Sequence, residues 1–505
     1  MLFAGIGAAA ADERVEQLKK AIEATTDVKE QARLHRQLGE HYVAQDQLDE
    51  AAEQYLKALS LAREVFSAEE RKTMAVHLSW AGRLKEALAE FRGVVAEEPG
   101  NLDARVHLAR ALSWAGEYGA AVREADRVLR ESPGNRDALL VKANGLRWGG
   151  DPVASLPIYR QLLQEKEDFE TRLGLSYALL ETGDLKGARE TSRALAPQLG
   201  FQEKDLQKYL EAEKAATRPS IDLRYSYLED TDDNIVNTYT LLYGFLIQNW
   251  RLTVRLGHTD AEDPRRDVRA DSAGISASVP VTPRLRVRGG VGVSRLENGD
   301  ASNVPTGHVG GEAKVWRGTV GAGISREALT DTAQVIDNEI KVTDAELVVF
   351  QQLTGRVSFY GEYHYRDYSN TNSAHDLLLS PTYVVYAGNP RISISYRFRY
   401  RDFDRQTGGG YFDPQGYVAH QGTGTLSFEL GRLYGTGYVF GGYESFRDPE
   451  QEEGDFLGGG GTLGFRPTSN LSLEIDGITS SAAGPAAGGP GFRFFSVGAR
   501  LLYRF

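Results

Sequence analysis

No cysteine occurs anywhere in the 505 residues. This absence excludes a disulfide scaffold, a thiolate metal site and a cysteine nucleophile. The sequence also lacks any run of about 20 apolar residues, the length that a transmembrane helix needs. A net charge of −12 argues against a nucleic-acid-binding protein, which would present a basic surface. The length of the chain predicts more than one domain.

The one apolar opening is residues 1–11, which end in four alanines directly before Asp12. A short apolar stretch that ends in small residues is typical of the distal half of a signal peptide. The basic residues that begin such a peptide are missing here. We interpret 1–11 as a signal-peptide remnant; the alternative is an N-terminal helix.

The composition changes near Arg218. Upstream, the chain is rich in Ala, Leu, Glu and Lys, which favour helices. Downstream, Lys314 and Lys341 are the only lysines, while Arg stays common and 18 of the 24 tyrosines occur. We therefore predict a helical domain over residues 12–217 and a domain of different architecture over 218–505.

The helical half repeats with a period of about 34 residues. Each repeat has a turn residue, a small residue five positions after it and, in most repeats, a large residue eight positions before it. The turn residues are Asp46, Gly82, Gly116, Gly150 and Gly183. The small residues are Ala51, Ala87, Ala121, Ser155 and Ala188. The large residues are Leu38, Met74, Leu108 and Leu175.

This spacing predicts stacked helical hairpins. The small residues let two helices approach each other, and the large residues fill the space between neighbouring repeats. The segment from about Arg33 to Leu199 resembles a tetratricopeptide-repeat (TPR) solenoid of five repeats. Residues 201–217 are predicted to form a capping helix.

The second half has a period of two. Residues 391–401 alternate polar and apolar side chains without a break, and 251–256, 284–293 and 356–366 do the same. This alternation predicts transmembrane barrel strands, with apolar side chains toward lipid and polar side chains toward a lumen. A soluble β-sandwich also alternates, but glycine inside the strands and tyrosine at their ends favour a barrel.

We predict an antiparallel transmembrane β-barrel of about 16 strands, an even number that places both chain termini of the barrel domain on the periplasmic side. The predicted strands are 219–229, 235–246, 249–259, 269–279, 284–295, 305–316, 318–328, 339–350, 354–367, 376–386, 391–403, 417–430, 433–446, 455–465, 471–479 and 491–505.

The chain ends in a strand-like segment that closes on an aromatic residue. Phe505, Tyr503 and Leu501 occupy alternate positions, preceded by Ala499 and Val497. This ending resembles the C-terminal signature that the barrel-assembly machinery of bacterial outer membranes reads. The alternative is an ordinary last strand that happens to end in Phe.

Charged residues on the polar face of the strands are the candidate lumen residues. Placing the apolar face against lipid turns these side chains inward. The arginines in this position are Arg251, Arg255, Arg284, Arg286, Arg288, Arg356, Arg366, Arg391, Arg397, Arg399 and Arg401. Glu362 and Glu429 are expected on the same face. The set forms either a polar path for a saccharide, including an acidic one because Arg pairs well with carboxylates, or a neutralised network that braces the wall.

Three tryptophans share one position in consecutive repeats. Trp80, Trp114 and Trp148 lie 34 residues apart, the first two within identical Ser-Trp-Ala-Gly segments. The position is near the end of the first helix of each hairpin, close to the groove of the solenoid. The tryptophans either pack against the next repeat, as large aromatics usually do, or form a ladder for sugar rings or a peptide.

Catalytic patterns are weak. The histidines of the second half stand in no recognisable nucleophile motif, and Gly458-Gly-Gly-Gly461 is not followed by the Lys-Ser/Thr of a phosphate loop. We therefore predict no enzymatic activity, no cofactor and no metal site.

The combined architecture resembles the outer-membrane exporters of bacterial exopolysaccharides: the cellulose-synthase operon protein C family, the poly-N-acetylglucosamine porin and the YaiO-type barrels. The Ser-Trp-Ala-Gly repeats are similar to TPRs that precede YaiO-type barrels. Residues 408–417 resemble a motif near the cellulose-type C-terminus, with Asp413 in place of the usual Ser. Five repeats are far fewer than the cellulose exporters carry.

The resemblance implies an outer-membrane channel for an exopolysaccharide, with TPRs in the periplasm that recruit periplasmic or inner-membrane synthesis proteins. Its expected partners are the polysaccharide, those synthesis proteins, outer-membrane lipid and the barrel-assembly machinery, with no nucleic acid. Two other hypotheses stay open. One is a TPR adaptor anchored by a structural barrel, and the other is a general porin or an outer-membrane enzyme.

Overall fold

A computed structural model describes residues 2–299, 301–447, 450–483 and 492–505, with side chains described from Glu13 onward. The chain divides into two compact units, one ending at Leu175 and the other beginning at Ser176. The predicted signal-peptide remnant 1–11 lies outside the described side chains, and the prediction stays open.

Helices occupy the N-terminal part of the chain. Their bounds are α1 Leu2–Ala24, α2 Val28–Ala44, α3 Leu48–Ala62, α4 Ala68–Trp80, α5 Leu84–Glu97, α6 Leu102–Trp114, α7 Tyr118–Glu131, α8 Arg136–Trp148, α9 Pro152–Glu165, α10 Phe169–Thr182, α11 Leu185–Ser192 and α12 Gly200–Thr217. α12 coincides with the predicted capping helix. Among the described residues, no helix combines the length and the apolarity needed to cross a bilayer.

The repeat spacing is a backbone property of the hairpins. Each predicted turn residue has a left-handed backbone: Asp46, Gly82, Gly116, Gly150 and Gly183 have φ between 60° and 93°. Glycine adopts this region without a steric penalty, which explains its recurrence at this position. Helices α2 to α9 therefore pair as four hairpins in the predicted register, and α10 and α11 follow along the chain at the same spacing.

The small residues are where the helices of a hairpin meet. Ala51, Ala87 and Ala121 are fully buried, because any larger side chain would separate the two helices. Four positions further on, Tyr55 and Phe91 are also buried and fill the space between repeats. These layers make a continuous core along the first unit.

Sixteen antiparallel strands close into a single barrel in which each strand pairs with its chain neighbour and β1 pairs with β16. The strands are β1 Ser220–Asp230, β2 Ile235–Ile247, β3 Trp250–Asp263, β4 Arg266–Pro280, β5 Leu285–Glu297, β6 Ala301–Val315, β7 Gly318–Ala328, β8 Lys341–Gln352, β9 Val357–Tyr368, β10 Asn372–Tyr386, β11 Arg391–Phe403, β12 Gln415–Leu430, β13 Leu433–Arg447, β14 Gln451–Thr468, β15 Leu471–Ser480 and β16 Phe494–Arg504.

The predicted fold class and strand number are confirmed. Some strands extend beyond the predicted bounds, because alternation marks only the part of a strand that faces lipid on one side. β14, for example, begins at Gln451 rather than at 455. One element was not predicted, the short helix α13 Ala333–Asp337 between β7 and β8.

Candidate functional site

The two ends of the barrel differ in their connections. Seven turns of two or four residues lie at the end that carries the first residue of β1 and the last residue of β16, which we call the near end. The opposite end, the far end, has longer connections, among them 329–340 and 404–414. Short turns at one end and long loops at the other are typical of outer-membrane barrels.

The strand register separates an apolar exterior from a polar interior. Outward positions carry exposed aliphatic side chains around the whole barrel, a surface that a water-soluble protein would bury. Examples from twelve strands are Leu223, Leu256, Ile275, Val291, Val309, Ile324, Leu347, Ile394, Leu426, Val439, Leu457 and Ile475.

Toward the far end, tyrosine and histidine end this apolar belt. Tyr363 Oη lies 2.7 Å from His375 Nδ1, and Tyr396 Oη lies 2.6 Å from His420 Nδ1. Both pairs are outward and exposed. They form part of the interfacial girdle that a transmembrane barrel presents to lipid headgroups.

Two connections pack into the far end, and we call residues 329–340 and 404–414 together the cap. α13 contacts β3, β4 and β5, although it connects β7 to β8. It is joined to the other segment by hydrogen bonds from Thr332 Oγ1 to Gly410 O, 2.7 Å, and from Asn338 Nδ2 to Gly409 O, 3.1 Å. The cap therefore bridges opposite sides of the barrel.

An ion pair anchors the cap to the rim. Arg266, at the start of β4, donates to the carboxylate of Asp337 across 2.8 Å. Asn298 donates to the carbonyl oxygen of Asp337, also across 2.8 Å. Two separate far-end connections thus hold the C-terminal residue of α13.

The cap has an apolar core inside the barrel wall. Ala333, Val335 and Ile336 of α13 are buried among inward side chains of the strands. The remaining buried members of this cluster are Val236, Ala261, Val268, Ala270, Leu296, Val304, Ile340, Val342, Tyr368, Ala374, Phe403 and Tyr411. Apart from Ile340 and Tyr411 of the cap, they come from strands between β2 and β11, so the cluster fills much of the far end of the lumen.

The motif of residues 408–417 is part of this closure. Tyr411 stacks on Tyr368, with ring centroids 4.5 Å apart and planes inclined by 11°. Asp413 accepts a hydrogen bond from the Thr407 amide at 2.6 Å. Gly410 has φ of 92° and approaches Gln334 so closely that a Cβ atom there would lie 2.6 Å from that side chain. Glycine at this position thus lets the two segments pack.

Three of the predicted lumen arginines converge on one carboxylate. Arg366, Arg399 and Arg401 all donate to Asp376, at 2.8 to 3.0 Å. Asp376 is almost completely buried on the inner face of β10. Arg366 also contacts Asp344 at 3.2 Å, so it joins two carboxylates. Near the cap, the arginines brace neighbouring strands.

The other predicted charged residues are spread along the inner wall. Arg288 pairs with Glu346, and Arg251 donates to the carbonyl oxygen of Ala216 in α12. Glu362 accepts from Tyr360 at 2.5 Å, and Glu429 pairs with Arg466 at 2.6 Å. Arg284 lies in the near-end turn before β5.

A second group of arginines lacks such partners. Within the described part of the chain, their guanidinium groups make no hydrogen bond or ion pair, and they lie on the inner wall or at its near-end rim. They are Arg255, Arg286, Arg356, Arg391 and Arg397. The predicted set therefore divides into bracing residues and residues free to meet a ligand.

In the TPR unit, the three tryptophans are exposed. The exposed fractions of Trp80, Trp114 and Trp148 are 54%, 43% and 39%. Trp80 lies beside His77, with ring centroids 5.2 Å apart, and Trp148 lies beside Tyr118 at 6.3 Å. Since they end α4, α6 and α8 in the same register, they share one face of the solenoid.

The chain terminus completes the barrel seam. β16 pairs with β1 along its whole length, and the Phe505 amide donates to Pro219 O at 3.0 Å. Tyr503 and Phe505 are exposed and in edge-to-face contact at 5.1 Å. Leu501 pairs with Leu223 of β1 on the outward face. These residues therefore sit at the strand pair that closes the barrel.

Sequence reasoning missed the cap and Asp376. The only local indications of α13 were Thr332, which caps its N-terminus, and the glycines of 408–410. Asp376 lies 23 and 25 residues from Arg399 and Arg401, so only the pairing of β10 with β11 reveals the cluster. No group of three or more His, Asp or Glu side chains in the described residues could hold a metal ion.

The fold and its surface define the class of protein: a TPR solenoid joined to a closed 16-stranded β-barrel of the outer-membrane type. The family model for the tetratricopeptide repeat matches residues 81–145. Comparison with curated proteins gives no significant match.

Solved structures similar to parts of the chain include both barrels and repeats. A bacterial polysaccharide outer membrane secretin is 12% identical over 57% of this chain and 99% of its own, with a TM-score of 0.47. OccK3 (OpdO) of Pseudomonas aeruginosa is 15% identical over 57% and 95%, with a TM-score of 0.33. A TPR protein of Parabacteroides merdae is 19% identical over 42% and 85%, with a TM-score of 0.36. Because these similarities are distant, function is argued from the geometry.

Proposed function

We propose that the protein is an outer-membrane channel that exports an exopolysaccharide, with its TPR solenoid in the periplasm as a scaffold for the synthesis machinery. The observation that carries the proposal is the lumen. It is lined by charged and hydroxyl side chains, some of which have no partner among the described residues, and the cap packs into its far end. A polar conduit that is closed at rest suits polymer export, because the polymer can pass while the outer membrane stays impermeable to other solutes.

The difference between the two ends of the barrel supports the proposed placement of the TPRs. Short turns face the periplasm and long loops face the exterior in outer-membrane barrels. α12 ends at Thr217, three residues before β1 begins at the near end. These features support our proposal that the near end is the periplasmic side and that the TPRs lie in the periplasm.

Two alternatives make different predictions about the lumen and the solenoid. A general porin needs a lumen open to small solutes, which the cap opposes. An anchored adaptor needs only the TPR surface, and the exposed tryptophans suit that role as well. The unpaired inward arginines distinguish export, because a purely structural barrel gains nothing from leaving them without partners.

The experiment is deletion of the gene in the native host, with polymer measured in the medium and in the periplasm. We expect extracellular polymer to fall and periplasmic polymer to rise, and the full chain supplied in trans to restore both. Unchanged extracellular polymer would contradict the proposal. Loss of the polymer from both compartments would instead favour an adaptor needed for synthesis.

The topology is tested in the same cells. The full chain should fractionate with the outer membrane and migrate faster on gels when unheated. Protease added to intact cells should not cleave the TPRs but should do so after the outer membrane is permeabilised. Recovery of the chain as a soluble protein would end the barrel interpretation.

A further inference from the structure

A cavity of about 410 Å³ opens on the inner wall formed by β11 to β15. Aromatic side chains of β13 and β14 line one side, and Arg397 and Arg399 of β11 line the other. Hydroxyl and amide side chains of β12 lie between them. This volume is within the range of small-ligand sites.

The aromatic side of the cavity depends on glycine in β14. A Cβ atom at Gly458 would lie 2.3 Å from the ring of Phe440, and one at Gly460 would lie 2.8 Å from the Tyr438 hydroxyl. Because these glycines have no side chain, the two rings lie against the backbone of the neighbouring strand. The rings of Tyr438 and Phe440 are 6.3 Å apart and inclined by only 22°. Phe440 is buried in an aromatic cluster with Phe456, and the half-buried Tyr438, which packs against that cluster, supplies the more exposed aromatic ring of the cavity.

Arg397 supplies a positive charge on the polar side of the cavity. Within the described residues, the Arg397 guanidinium has no hydrogen-bond or ion-pair partner, whereas Arg399 is held by Asp376. Arg397 pairs in register with Gln421, which donates to Thr423 Oγ1 at 2.9 Å. Thr423 pairs in turn with Phe440. Arginine and aromatic ring are thus two strands apart, roughly 10 Å by strand spacing.

This arrangement matches one class of ligand. The C–H face of a pyranose packs on a flat aromatic surface, its hydroxyls bond to Thr and Gln side chains, and a guanidinium pairs with a sugar carboxylate. A neutral sugar would leave Arg397 unpaired, and an amino sugar would meet a like charge. We propose that this cavity, which we call the uronate pocket, binds a carboxylate-bearing sugar unit of the exported polymer. The inference rests on the proposed export function.

Calorimetric titration of the full chain in detergent tests the pocket. The probes are a short oligogalacturonate, a cello-oligosaccharide of equal length and a chitosan oligosaccharide. We expect the oligogalacturonate to bind at least tenfold more tightly than either other probe. Arg397→Gln should remove that preference, Arg397→Lys should keep part of it, and Tyr438→Ala should weaken binding of the acidic and the neutral probe.

Two controls keep the outcome interpretable. Arg326→Gln changes an arginine on the outward face of β7 and should leave every affinity unchanged. A chain with residues 331–339 replaced by a short Gly-Ser turn opens the far end, so that a closed lumen cannot hide the pocket. Heat-modifiable gel migration verifies that each variant is a folded barrel.

Equal binding of acidic and neutral probes, or an unchanged preference in Arg397→Gln, would overturn the proposal that this pocket binds a carboxylate-bearing sugar. So would the absence of oligogalacturonate binding in both the full chain and the opened chain. In either case, loss of extracellular polymer on gene deletion would leave the export function standing. If the deletion strain exports polymer normally while the full chain binds oligogalacturonate tightly, the export function is contradicted and the uronate pocket is not.

Discussion

Asp376 determines which of the inward arginines of β9 and β11 are held in ion pairs. Three guanidinium groups donate to its carboxylate, which is 3% exposed. A buried carboxylate is stable only when paired in this way, and its partners lose their freedom to bind anything else. Arg397, one position earlier on the same face of β11, has no hydrogen-bonded or ion-paired acid among the described residues.

This contrast also sets the limit of sequence reasoning about the site. Alternation along residues 391–401 predicts that the arginines share a face, because the side-chain period of a strand is fixed. It contains no information about which acid faces them, since the partner comes from another strand. The strand register, rather than the composition, determines that Arg399 and Arg401 pair with Asp376 and that Arg397 does not.

The tryptophans give the first prediction at this scale. Trp80→Ala combined with Trp114→Ala should leave the helical content and the melting temperature of the solenoid nearly unchanged, because both side chains are largely exposed. If they contact the polymer or a partner, extracellular polymer should fall. Circular dichroism and the polymer assay measure the two effects.

Phe91→Ala is the matched control for that pair. Phe91 is 1% exposed in the same repeat, so its truncation should lower the free energy of unfolding by roughly 3–5 kcal/mol. A melting temperature that falls as far in the double tryptophan variant as in Phe91→Ala would show that the tryptophans are structural.

Two histidines make the stability of the solenoid depend on pH. Burial lowers the pKa of His77, whose Nδ1 lies 3.0 Å from Tyr55 Oη, and burial likewise lowers the pKa of His107. The unfolded chain therefore takes up these protons at a higher pH than the folded chain. Their contribution to stability is present above the ordinary histidine value of about 6.5 and is lost as the pH falls through it.

We expect the helical signal of the full chain to melt at a lower temperature at pH 5 than at pH 8. The double variant His77→Gln with His107→Gln should lose part of this difference, because glutamine does not take up a proton. A pH dependence identical in the two proteins would show that other groups govern it.

At the scale of elements, periodicity explains which parts of the fold were predictable. Hairpins and strands repeat a local pattern, so each copy confirms the register of the next. The turn glycines and all sixteen strands were found in this way. α13 has five residues, too few for a helical period, and its burial depends on strands remote in the sequence. The cap therefore required the structure.

The last strand carries a prediction of its own. Deletion of Phe505 should reduce the amount of barrel in the outer membrane, because the assembly machinery would lose its terminal aromatic and β16 would lose its amide contact with Pro219. Phe505→Tyr, which keeps an aromatic ring, is the control. Equal membrane levels of the wild type and the deletion would mean that the ending is coincidental.

At the scale of the whole molecule, a repeat scaffold is attached to a barrel whose own loops pack into its far end. The belt of aliphatic residues accounts for residence in a membrane, and the inner wall accounts for a polar cargo. The cap reconciles the polar lumen with its place in a membrane, because a wide charged lumen without a cap would let solutes cross the cell envelope freely. The proposed export function requires the cap to move.

The central claim is thus that the lumen is mostly closed in the full chain and conducts steadily once residues 331–339 of the cap are removed. Single-channel recording in planar bilayers tests it by comparing the full chain with the variant that has a Gly-Ser turn in place of residues 331–339. We predict a closed full chain with rare openings, and a stable large conductance for the variant. An equally open full chain would indicate a general porin, and a variant that stays closed would show that the barrel is only an anchor.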